Sequence, residues 1–131
     1  MRVMLDTNIL ISAFLFKSKN MNTLIEKLSR EDEIIICSYT IEELKELINI
    51  NFKVDIQELD EFLRNFPFDL VYSPMNIEEN LFNIRDKDDY VILYTAIIEN
   101  VDVFITGDKD FDDVDIERPE IMSAREFLDR Y

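Results

Sequence analysis

Short, wholly apolar runs alternate along the chain with stretches whose apolar residues recur every three to four positions, the arrangement that builds a parallel α/β sheet. Val3-Met4-Leu5 reads as a first strand. Ile9, Leu10, Ala13 and Phe14 share one helical face between Asn8 and Phe16, and Leu24, Ile25 and Leu28 mark a second helix from Asn20 to Ser29. Glu33 to Ser38 is the next strand. Thr40 with Glu43 has the form of a capping box, opening a helix with Ile41, Leu44, Leu47 and Ile48 on its apolar face and running to Asn51. Asp55 and Glu58 repeat that start signal ahead of Ile56, Leu59, Phe62, Leu63 and Phe66, and Pro67 ends the helix. Leu70-Val71-Tyr72 is a third strand. Between Ser73 and Lys87 the pattern stays open: Pro74 and three asparagines favour a loop, whereas Ile77, Leu81 and Ile84 would support a short helix. A strongly apolar helix follows, from Asp88 or Asp89 to Asn100, then the strand Val103 to Thr106, which Gly107 closes. Ile121-Met122 is a minimal strand, and Ser123 with Glu126 forms a capping box for a last helix through Leu128. No linker, repeat or low-complexity stretch divides the chain, so residues 1–131 are expected to form one domain.

Composition narrows the chemistry. There are 29 acidic and 14 basic side chains and no histidine, a net charge of -15. Any mechanism needing an imidazole is therefore excluded, and whatever chemistry occurs here runs on carboxylates. Cys37 is the lone cysteine and lies in an apolar run, which fits a buried thiol in a reducing setting. No signal-peptide zones or membrane-length apolar run stand out, which suits a cytoplasmic protein and no membrane. The acidity disfavours broad phosphate binding and suits cations.

In an open parallel sheet ligands sit beyond the carboxyl ends of the strands, where strand order reverses. Asp6 directly follows the first strand and Asp108 follows the Val103–Thr106 strand after one glycine, so neighbouring strands would bring both into one crevice. Thr7 and Asn8 are able to cap the following helix, leaving Asp6 free. Asp86, Asp88 and Asp89 crowd one helix start, more acids than the helix dipole requires, and Asp89, which opens the apolar helix, is the one assigned to the crevice. Glu43 has two open readings, capping or function. The acids from Asp108 to Asp115 alternate as in a calcium loop, but Asp113 and Pro119 occupy the positions where an EF-hand needs glycine and glutamate, so Asp112, Asp113 and Asp115 read as solvated surface. Carboxylates crowded into a pocket demand a cation, and all-oxygen donors select magnesium or manganese. One or two such ions suit phosphodiester hydrolysis.

At these residues the chain resembles the PIN-domain nucleases. Val3-Met4-Leu5-Asp6-Thr7-Asn8-Ile9-Leu10-Ile11-Ser12-Ala13, then Glu43, then Arg85-Asp86-Lys87-Asp88-Asp89, then Ile105-Thr106-Gly107-Asp108-Lys109-Asp110-Phe111 carry the likeness in order and spacing. Ile121 to Leu128 is similar to the end of the prokaryotic, VapC-like branch of toxins from toxin-antitoxin pairs. The resemblance implies a three-layer α/β/α sandwich around a parallel sheet in the order 3-2-1-4-5, and Mg2+- or Mn2+-dependent cleavage of RNA. It assigns Asp6, Glu43, Asp89 and Asp108 to an acidic quartet that is both catalytic and metal-ligating, with Asp110 an extra ligand. Thr7, Asn8 and Thr106 take orienting roles. Asp88 rivals Asp89, and Ala96, seven positions beyond Asp89, fits the family's small residue.

Two bound divalent ions would cancel only a small part of the net charge, so RNA contact has to be local. Arg85, Lys87 and Lys109 flank the acids, and Lys17, Lys19 and Lys45 lie on neighbouring segments; a substrate-binding rim and an ordinary solvated surface are both open. A cognate antitoxin is an expected partner. Ten phenylalanines exceed the needs of one small core and suit a homodimer. The alternatives are a noncatalytic PIN-like module that binds RNA or protein, and a phosphoryl-accepting receiver domain, which would have no use for Glu43.

Overall fold

Four-residue β1 (Arg2–Leu5) sits at the centre of a five-stranded sheet, with β2 (Glu33–Cys37) on one side and β4 (Val103–Ile105) on the other. β3 (Asp69–Val71) and β5 (Glu120–Met122) form the edges, all neighbours pair in parallel, and the order is β3-β2-β1-β4-β5. The computed structural model describes residues 1–52 and 54–131.

Alternation within each strand sorts side chains onto two faces. Val3, Leu5, Ile34, Ile36, Val103, Ile105 and Met122 face one way. They pack against α1 (Thr7–Ile11), α2 (Lys19–Glu31), α3 (Ser38–Asn51), α4 (Ile56–Asn65) and α6 (Ala124–Arg130). Met4, Ile35, Cys37 and Phe104 face the other way, against α5 (Lys87–Ile98) and Phe111. Helices on both faces explain why the inner strands are apolar without interruption. The result is the three-layer α/β/α sandwich with strand order 3-2-1-4-5 that the resemblance implied.

Several local expectations need correction. The first helix starts at Thr7 with Asp6 as its cap, because Asp6 Oδ1 accepts from the Thr7 N–H at 2.8 Å. It gives way to a π-helical turn over Ser12–Phe16 and stops at Lys17, which adopts a left-handed φ of 42°. α3 begins at Ser38 immediately after β2, which carries Thr40 inside the first turn, where it is fully buried. There is therefore no Thr40–Glu43 capping box, and Glu43 is released from that role. α5 starts at Lys87 rather than Asp88 or Asp89, since Asp86 is the cap and accepts from the N–H groups of Asp88 and Asp89. The Ser123–Glu126 box is present as read. The open segment proves irregular: Phe82 stacks on Tyr90 at 4.3 Å, while the Tyr90 hydroxyl donates to the Glu78 carbonyl and accepts from the Leu81 N–H.

Candidate active site

β1 and β4 lie side by side with Leu5 opposite Ile105, and the residues following each strand meet at their carboxyl ends. Asp6 is 4% exposed. Its second oxygen, Oδ2, accepts from the Thr106 hydroxyl at 2.6 Å, and that hydroxyl accepts from the Asp108 N–H at 3.0 Å. Asp108 in turn caps the 3-10 turn Lys109–Phe111 through its Oδ1, which accepts from the Asp110 N–H at 2.9 Å. On the other side, the Thr7 hydroxyl donates to Glu43, which reaches over from α3. Gly107 donates weakly to Asn8 Oδ1 at 3.5 Å. Thr106 thus holds Asp6 and Thr7 holds Glu43, and Asn8 touches the loop that carries Asp108.

Carboxylate oxygens of Asp89, Asp108 and Asp110 lie within 4.8 Å of one another. Three oxygen donors at that spacing fit a hard divalent cation, magnesium or manganese. The tightest oxygen cluster among the described residues therefore contains Asp110, while Asp6 and Glu43 lie beside it with their carboxylates engaged by threonines.

Asp89 is pushed up to about 7, first by burial and then by the like charges of Asp6, Asp86, Asp108 and Glu43. Burial raises Asp6 as well, opposed by its bonds from Thr106 and Thr7 and reinforced by Asp108. Glu43 is raised by burial, against the opposing bond from Thr7, and by the charges of Asp6, Asp88 and Asp86. Burial is the first cause of all three shifts and a shared field of negative charge adds to it, and a cation bound there would relieve that field.

Asp88 turns elsewhere: its carboxylate accepts from the Tyr39 hydroxyl, and Tyr39 is pushed up to about 12, chiefly by that bond. The sequence reading passed over Tyr39. Its signal was available, since Tyr39 and Glu43 are four residues apart on one helix and so share a face. Arg85, Lys87 and Lys109 are exposed and form no ion pair among the described residues. Lys109 lies on the Asp108 side, whereas Lys87 lines a groove with Phe82 and Tyr90. Asp112, Asp113 and Asp115 are exposed.

No curated protein sequence matches the chain significantly. Two solved structures share the fold. One is VapBC2 from Rickettsia felis bound to a DNA fragment from their promoter, at TM-score 0.73 and 21% identity, covering 94% of this chain and 98% of that one. The other is VapBC-1 from nontypeable Haemophilus influenzae, at TM-score 0.64 and 20% identity, covering 95% and 99%. The PIN domain model matches residues 3–117, a span that holds every acid of the crevice, and the chain belongs to that family.

Proposed function

We propose that this single domain is an endoribonuclease that hydrolyses RNA phosphodiester bonds with Mg2+ or Mn2+, and that it is the toxin component of a toxin-antitoxin pair. The observation that carries the reading is the convergence of Asp89, Asp108 and Asp110 beside the buried Asp6 at the ends of β1 and β4. Asp89, Asp108 and Asp110, with Asp6 next to them, would hold one ion, and Glu43 would face a second. A divalent ion bound there supplies an activated water and neutralises charge on the phosphate. The chain's own contribution is placement: two threonine hydroxyls and one backbone N–H fix Asp6 and Glu43 before any substrate arrives. Lys109, next to Asp108 in the chain and exposed, is the cation we assign to a phosphate oxygen, with Arg85 and Lys87, which flank the acids at the start of α5, as further candidates.

PIN family membership supports the nuclease, and the two VapBC structures support an antitoxin partner. No described helix is long and apolar enough to cross a membrane; action in the cytoplasm, as a homodimer, belongs to the same proposal. The test is cleavage of a randomised RNA pool with Mn2+, with EDTA, and by Asp89→Asn. Cleavage with Mn2+ alone, lost in the other two arms, is expected. Cleavage untouched by EDTA, or full activity of Asp89→Asn, would overturn the assignment.

A further inference from the structure

A cavity of about 570 Å3 opens beside Asp108, between the carboxyl ends of β4 and β5 and the segment that leads from the 3-10 turn back to β5. Its size is that of an ordinary small-molecule site. Val114, Ile116, Ile121 and Met122 give it an apolar floor, and Asp112, Glu117 and Glu126 add carboxylates at its rim. Glu120 also lines it but is paired with Arg130, and one Glu126 oxygen accepts from the Ser123 N–H. The carboxylates of Asp112 and Glu117 are exposed and have no hydrogen-bond or ion-pair partner among the described residues. Among the described residues, Lys109 is the one cation in the lining.

An apolar floor with unpaired carboxylates at its rim suits a flat, partly apolar group that offers N–H donors. We propose that the cavity receives the base of the nucleotide adjoining the scissile phosphate, and that it selects guanine. The inference rests on the ribonuclease reading and adds a base preference to it. The reason for the placement is the shared wall: Asp108 belongs both to the oxygen cluster and to the cavity, so a phosphate at the cluster puts the neighbouring base at the cavity mouth. The reason for guanine is its edge. N1–H and the N2 amino group form a two-pronged donor that a carboxylate accepts, while uracil presents two carbonyl oxygens that the acids repel. Single-stranded RNA is read in this way, by packing a splayed base and bonding its edge.

The test has a binding arm and a cleavage arm. In the first, methyl resonances of Ile116, Ile121 and Met122 are followed while guanosine, adenosine, cytidine or uridine is added without metal. Guanosine is expected to shift them with an affinity about tenfold above that of uridine. The double substitution Asp112→Asn with Glu117→Gln, both on exposed side chains, is expected to erase the difference. In the second arm, cut sites in a randomised RNA pool are mapped for the wild type, that double variant and Ile121→Trp, which fills the cavity. A guanine enrichment on one side of the cut that vanishes in the variants while cleavage continues supports the proposal. Equal shifts with uridine, shifts confined to other methyls, or an enrichment unchanged by the variants would overturn it. Guanosine binding in the cavity without RNA cleavage by the wild type would sink the ribonuclease reading and leave a guanine-binding cavity standing.

Discussion

The Tyr39 hydroxyl on α3 donates to the Asp88 carboxylate on α5, and this bond separates two adjacent acids into different surroundings. Asp88 is held against Tyr39, and Asp89, one residue on, joins Asp108 and Asp110. The two isosteric substitutions should therefore differ sharply. Asp89→Asn should lower metal-dependent RNA cleavage about a hundredfold, as loss of a ligand does. Asp88→Asn should stay within a few-fold of wild type, because an amide oxygen still accepts from Tyr39. Initial cleavage rates of both variants decide it, and equal losses would show that Tyr39 does not partition the pair.

Thr7 is the only donor seen for the Glu43 carboxylate among the described residues. Thr7→Val keeps the shape of a side chain that is 4% exposed but leaves that half-buried acid without its bond. A stability loss of about 1–3 kcal/mol is expected from the unmade hydrogen bond, with about 10–100-fold lower activity. Thr7→Ser should recover most of both. Urea unfolding together with cleavage rates checks the pair; a Thr7→Val variant as active as the wild type would remove Thr7 from the positioning of Glu43.

Asp89 gives the pH dependence. Its carboxyl is raised from 3.8 to about 7, so between those values the folded chain keeps a proton that the unfolded chain releases. The metal-free protein should therefore lose stability as pH rises through that interval, with a lower Tm at pH ~8 than at pH ~5 in EDTA. Cation binding displaces the same proton, so Mn2+ affinity should climb about tenfold per pH unit below 7 and level off above it. Calorimetric titrations on both sides of neutrality test this, and a flat profile would contradict it.

Phe104 is fully buried and meets Phe111 edge-on at 5.1 Å, beneath the turn that carries Asp110. Phe104→Ala should cost about 3–5 kcal/mol by opening a cavity. Because Phe111 loses its support, Mn2+ affinity should fall as well. Chemical denaturation and metal titration of one variant measure both effects.

Much of this architecture was legible because the strands are buried on both faces. Val3-Met4-Leu5 and Ile34-Ile35-Ile36 announce a covered parallel sheet without any partner in view, and the order of the acids after β1 and β4 announces the crevice. Local starts were harder. Thr40 and Glu43 satisfy a capping pattern, yet β2 runs straight into α3 and buries Thr40, so tertiary packing overrode the local signal. The sequence leaves Asp6 free of the cap, whereas it serves as both cap and partner of Thr106, since a carboxylate has two oxygens to give. Spacing puts Tyr39 on the face of Glu43, but its bond to Asp88, and the grouping of Asp110 with Asp89, depend on distances across the fold that spacing along the chain does not encode.

Asp6, Glu43 and Asp108 are braced by threonine hydroxyls and backbone N–H groups, with no lysine or arginine bonded to Asp6, Glu43 or Asp89 among the described residues. Neutral braces set positions without supplying a counter-charge. The crevice thus folds with its electrostatic debt outstanding, and among the described residues no ammonium bonded to these three acids competes with an incoming ion. On the proposed metal-dependent reading, occupancy would follow the free divalent concentration of the surroundings, and the supply of cation would be the variable that turns such a site on.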